Sequence, residues 1–172
     1  VDRVISKGAF FIPLPPEVAF GLFTAEGERD WVPGWEPVIL GDLPQASGLV
    51  FLTQTEGRET IWTVIRSDTH SLSHQYCRVT PGQHAGIVDV AIRGEVEGSR
   101  IEVRYEMTAL PDSPPGCLDP YRGGKFTEML AGWAAMICSA GEERNGSRVD
   151  EPSAAAMRKA GPAAYRDEHA GT

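Results

Sequence analysis

Between residues 1 and 141 the apolar and polar positions switch between a period of two and a period near 3.6. Residues 4–14 (VISKGAFFIPL) are β-branched and aromatic, which predicts a strand ended by Pro13, Pro15 and Pro16. PPEVAFGLFTAEGERDWV follows, with Val18, Leu22 and Phe23 at helical spacing and Pro16 suited to a first helical turn. Gly27 interrupts that stretch, so two short helices are expected after the first strand instead of one. Six strand-like runs come next, at 36–41, 48–55, 60–67, 71–79, 85–95 and 99–110, with turn-forming text such as EGRE, TPGQ and EGS between them. In the last run Ile101, Val103, Tyr105 and Met107 alternate with Glu102, Arg104 and Glu106, so one face is buried and the other wet.

After the linker PDSPPGCLDP the helical period returns. Phe126, Leu130, Trp133 and Ile137 form an apolar stripe, Met129 and Met136 widen it, and Gly141 is expected to end the helix. A sheet with one wet face needs a cover on the other, and this helix has the apolar face to provide it. The expected class is α+β: a curved antiparallel sheet wrapped around a long C-terminal helix. Residues 1–141 read as one domain and 142–172 as a polar Ala/Gly-rich tail, in which Val149, Met157 and Tyr165 are the large apolar residues. Such a segment buries too little to offset its ordering entropy unless it docks. Ser153 to Lys159 is expected to form two helical turns with Ser153 as N-cap.

Composition narrows the partners. The 172 residues carry 16 Lys and Arg against 24 Asp and Glu, a net charge of −8 that repels phosphate backbones and argues against nucleic acid. Cys77, Cys117 and Cys138 are odd in number and lack CxxC spacing, which fits neither a disulfide framework nor a zinc site. No apolar run reaches transmembrane length and the first residues lack the apolar core of a signal peptide, so no membrane insertion and a cytoplasmic setting are expected.

The element order and several segments resemble the START/Bet v1-like (SRPBCC) superfamily, whose fold is the helix-grip. The segments are PPEVAFGLFT (15–24), ERDWVPGWEP (28–37), VFLTQTEG (50–57), TIWTV (60–64), YCRVTPG (76–82) and VRYEMTAL (103–110), together with the helix pair Phe126 and Trp133. The WVPGWEP-type segment looks like a bacterial branch of that superfamily, and the likeness covers roughly residues 3–141. It implies an apolar cavity between the sheet and the last helix. It does not imply one activity, because the superfamily hosts carriers, polyketide cyclase-like enzymes, hydrolases and co-chaperone domains. On this likeness Phe51, Met107, Phe126, Met129 and Leu130 would line the cavity. Trp31, Trp35, Trp62, Tyr76, Tyr105 and Trp133 are the large amphipathic groups able to join them.

Three features bear on chemistry. Pro33-Gly34 suits the two central positions of a type II turn, which would throw Trp31 and Trp35 to one side as a pocket wall or as a core plug. His70 and His74 on one strand lie ~13 Å apart at ~3.3 Å per residue, too far for one ion, so no metal and no cofactor are expected. If Pro81-Gly82 is a two-residue hairpin loop, His74 stands opposite Asp89, with Tyr76 and Arg78 on the same face: a general base, its carboxylate partner and two polar neighbours. Against that arrangement, Val88, Val90 and Ile92 form the more apolar face of their strand and should face the core, which would send His74 and Asp89 to solvent, and a longer loop would shift the pairing.

Three functions follow as expectations. The first is a small-molecule binding module for an apolar or aromatic ligand. The second is an enzyme of the cyclase/dehydratase or hydrolase kind that uses the polar groups of strand 71–79. The third is a protein-interaction domain, with a homodimer left open.

Overall fold

The computed structural model describes residues 1–149, with side chains to residue 146. Strand β1 (Arg3–Ile12) leads through Pro15 into helix α1 (Pro16–Leu22), followed by a single 3₁₀ turn, Gly27–Asp30. Six strands come next: β2 (Val38–Leu40), β3 (Val50–Thr55), β4 (Arg58–Asp68), β5 (Ser73–Thr80), β6 (His84–Glu95) and β7 (Gly98–Ala109). A second 3₁₀ turn, Asp119–Tyr121, precedes the long helix α2 (Gly123–Val149). The two expected short helices are thus one helix of two turns and one 3₁₀ turn.

All seven strands form one antiparallel sheet in the order β1-β7-β6-β5-β4-β3-β2, which brings the first strand beside the last. The pairing of β4 with β5 shifts register between Val64 and Arg66, a bulge of the kind that bends a strand and lets the sheet curve. Residues of even number on β5 and β6 and of odd number on β7 face inward. Tyr76, Val88, Val90, Ile92, Ile101, Val103, Tyr105 and Met107 are all buried there.

Helix α2 covers this face with the expected stripe: Phe126, Leu130 and Ile137 are buried and Trp133 is half-buried. It approaches β1 closely at Gly8, where an added Cβ would lie 2.5 Å from Leu130 Cδ1. The sheet, the short helices and the helix up to Ala140 make up the compact unit Val1–Ala140, and Gly141–Thr172 is a second unit. Gly141 does not end α2, which continues to Val149. The residues after it, Glu142, Glu143 and Arg144, are good helix formers, and a helix stops at glycine only where the backbone turns left-handed. The helical turns expected at 153–159 lie outside the described residues. Among those residues no helix is long and apolar enough to cross a membrane.

Candidate functional site

A cavity of about 250 Å³ lies between the inner face of the sheet and the segments that cover it. One wall is built by the turn after α1. Trp35 N–H donates to Val32 carbonyl at 3.2 Å, and Gly34 sits at φ 72°, the left-handed conformation that glycine adopts without strain. The two indoles on either side of this turn are pinned by their own N–H groups. Trp31 Nε1 donates to Leu22 carbonyl at 2.8 Å and Trp35 Nε1 to Ala25 carbonyl at 2.7 Å. Both rings line the cavity, Trp31 edge-on to Trp133 of α2 at 5.9 Å and Trp35 near Trp62 of β4 at 6.2 Å. Phe51 stacks on Trp62 at 5.8 Å, and Tyr105 and Met129 complete the aromatic and apolar lining.

The other end of the cavity is polar. Arg78 enters from the inner face of β5, directly opposite Trp62 in the ladder, with its guanidinium 5.1 Å from the Trp62 ring and 5.4 Å from that of Tyr121. Glu28, from the first 3₁₀ turn, lines the same cavity. Burial pushes its carboxyl up to about 8, although the Arg78 charge pulls the other way. Burial also raises the phenols of Tyr76, Tyr105 and Tyr121. Tyr76 OH donates to Phe23 carbonyl at 2.5 Å and accepts from Gln45 Nε2 at 3.0 Å. Beyond Arg78 and Tyr121 a second, more polar hollow of about 450 Å³ opens, lined also by Arg58, Thr60, Thr80 and His84. His84 Nε2 lies 3.2 Å from Tyr121 OH, and burial with the nearby Arg78 charge pushes its imidazole down to about 4.

The pairing expected between His74 and Asp89 does not occur. The hairpin loop has three residues, Thr80 pairs with His84, and every partner moves by one: His74 faces Val90, and Asp89 faces Gln75. His74 therefore shares the buried face of Val88 and Val90, and Asp89 lies on the outer face. There it accepts from Gln75 Nε2 at 2.8 Å and pairs with Arg104 at 3.3 Å. His74 is 1% exposed and is not among the residues lining either cavity; both ring nitrogens are engaged, by Phe20 carbonyl at 2.9 Å and Ser67 Oγ at 3.0 Å. Of the four polar residues expected on and beside strand 71–79, only Tyr76 and Arg78 reach the cavity.

Three residues expected in the lining are packed as core instead. Met107 fills the space left by Gly86, where a Cβ would lie 2.7 Å from its sulfur. Phe126 packs on the Tyr105 ring at 5.7 Å, and Leu130 sits over Gly8. Glu28, Gln45 and Tyr121 join the site without a motif or spacing in the sequence that marks them together. Only Glu28 left a local signal, since it stands three residues before Trp31 in a short helical stretch and so shares its side of the chain. Among the described residues no group of three or more His, Cys, Asp or Glu could hold a metal ion.

The curved seven-stranded sheet closed over a long C-terminal helix matches solved structures along most of its length. Ara h 8.0201 superposes with a TM-score of 0.61 at 14% identity, over 80% of this chain and 99% of that one. The fold is the helix-grip of Bet v1-like proteins. The major latex-like protein 151 of Panax ginseng matches with a TM-score of 0.61 at 12% identity, over 78% of this chain and 95% of its own. Norcoclaurine synthase from Thalictrum flavum, in complex with dopamine and hydroxybenzaldehyde, matches with a TM-score of 0.57 at 12% identity, over 80% and 88%. No family model matches the chain, and no curated protein matches it by sequence. Identities this low carry the helix-grip fold and leave the activity to the site itself.

Proposed function

We propose that this chain binds a small aromatic or otherwise flat apolar molecule in the cavity between the sheet and α2. The observation that carries the reading is that all four tryptophans of the chain line that one space of about 250 Å³. Indoles turned toward an open cavity forgo the close packing that stabilises a core, and a bound ring would restore it. A cavity of roughly 150 Å³ suffices for benzene, so this one has room for two fused rings or one substituted ring. The unit that binds is residues 1–141, and three unpaired cysteines support a reducing, cytoplasmic setting. The likeness in fold to a protein crystallised with dopamine and hydroxybenzaldehyde supports a ligand of this size.

Native mass spectrometry of freshly purified protein, compared with the same sample after denaturation, tests the reading. A retained small molecule, or a saturable mass shift with added bicyclic aromatics, is the expected result. Protein that takes up no aromatic compound at millimolar concentration would sink it.

A second reading is favoured by Glu28. A carboxyl held near pKa 8 inside an aromatic cavity is matched to proton transfer at neutral pH. In that reading the chain is an enzyme, Glu28 is the general acid and base, and Tyr76 and Arg78 orient the substrate. Glu28→Gln would then abolish turnover of a retained ligand while leaving its binding in place.

A further inference from the structure

We propose that Arg78 is an anion-binding group and that the ligand is an aromatic carboxylate, its rings among the tryptophans and its carboxylate on the Arg78 guanidinium. The inference rests on the cavity being a ligand site and names the chemistry that site selects.

A guanidinium on the inner face of a sheet is costly unless something compensates it. Trp62 and Tyr121 contact it at 5.1 and 5.4 Å from their ring centroids, a cation–π arrangement that holds the group through its π face. That contact itself consumes no N–H donor; the Tyr105 and Tyr121 hydroxyls also engage the guanidinium by side-chain hydrogen bonding, and Nε is the donor they leave unmet. Arg78 Nε is buried and has no hydrogen-bond partner, and among the described residues no carboxylate lies within ion-pair distance of Arg78. Other inward arginine charge is absent from the cavity lining, so the unmet donor and the unmet charge belong to one residue.

Glu28 is the acidic group that acts on Arg78 from within the cavity, and burial favours its neutral form, so it leaves the charge in place. The chain as a whole carries a net charge of −8, which makes a cationic spot inside it a local feature of the site. The guanidinium also stands where the apolar cavity meets the polar hollow, lining both. A ligand seated there would have its rings on one side and its polar head at the boundary. A planar carboxylate matches the fork of an arginine in a way that an amide or alcohol does not.

Isothermal titration calorimetry of the full chain with 2-naphthoate and its uncharged analogue 2-naphthamide tests this. The wild-type protein is expected to bind 2-naphthoate at least ten-fold more tightly. Arg78→Gln should bring the two affinities within about two-fold, mainly by weakening 2-naphthoate. Should Arg78→Gln fail to fold by circular dichroism, Arg78→Lys, which keeps the charge and loses the fork, is expected to reduce the preference by several-fold. Equal affinities in the wild type, or a preference that survives Arg78→Gln, would overturn the assignment while leaving the cavity reading intact. If neither compound binds, both fall together. Tighter binding of 2-naphthyl phosphate than of 2-naphthoate would replace the carboxylate with a phosphoryl group and overturn the ligand class named here.

Discussion

The imidazole of His74 stacks on the ring of Phe20 at 4.1 Å between centroids and lies 2.9 Å from the Phe20 main-chain oxygen. A carbonyl only accepts, so Nε2 carries the proton and donates to it. Nδ1 of the neutral ring then accepts from the Ser67 hydroxyl at 3.0 Å. Burial lowers the pKa of this histidine and keeps it neutral, which suits both bonds. The residue that reads most like a catalytic base in the sequence fastens α1 to the sheet.

His74→Ala should therefore cost stability and spare the site. The lost stack and the stranded Phe20 carbonyl together predict a loss of about 2–4 kcal/mol. Chemical denaturation measures it. Ligand affinity of the folded variant should stay within about two-fold of wild type; a collapse of affinity without loss of stability would contradict the clasp.

Trp133 is half-buried, contacts the rings of Phe10, Trp31 and Tyr105, and has open space on its cavity side. Trp133→Ala should cost about 2 kcal/mol, less than the ~3–5 kcal/mol of a fully packed aromatic. The enlarged cavity should then bind small aromatics more weakly. A thermal melt and one titration decide both points.

Glu28 sets the alkaline side of stability. Its carboxyl titrates near 4.5 in the unfolded chain and near 8 in the fold, so between those values only the unfolded chain is ionised. Stability is full below the first value and falls as pH rises toward the second. Glu28→Gln removes this loss. It should stabilise the protein by about 1–3 kcal/mol at about pH 8 and leave it unchanged at about pH 4.

His84 acts in the opposite direction. Its imidazole falls from 6.5 to about 4 on folding, so below 6.5 the unfolded chain gains protons that the fold does not. Stability is full above 6.5 and is lost as pH falls toward 4, with His74 adding to the loss. Because Glu28 opposes this between 4.5 and 6.5, the acid limb is best measured in Glu28→Gln protein. There, adding His84→Gln should flatten the limb by at most about 3 kcal/mol.

Gly86→Ala should be among the most damaging single-methyl changes. The new Cβ would sit 2.0 Å from Glu106 carbonyl oxygen and 2.8 Å from Met107 Cα, both backbone atoms of the neighbouring strand. Separation of β6 from β7 at that point predicts a loss of about 2 kcal/mol or more, read by urea unfolding.

The seven strands, the short helical segment, the stripe of α2 and the turn at Pro33-Gly34 could all be read from the sequence. Each is set by local chemistry: alternation along one strand, 3.6 spacing along one helix, a glycine where the backbone turns left-handed. Phe51, Trp62, Tyr105 and Trp133 follow from the same alternation and spacing, because once the elements are known their inward faces are known. What only the tertiary structure decided depends on register and on packing between distant elements. One residue in the hairpin loop, Gln83, moved His74 from Asp89 to Val90 and left it beneath Phe20. The gap at Gly86 drew Met107 out of the lining, and the approach at Gly8 did the same for Leu130. Glu28, Arg78 and Tyr121 lie on the first 3₁₀ turn, a central strand and the second 3₁₀ turn. Their shared burial, which gives the carboxyl its raised pKa and leaves Arg78 Nε without a partner, exists only once those three elements meet.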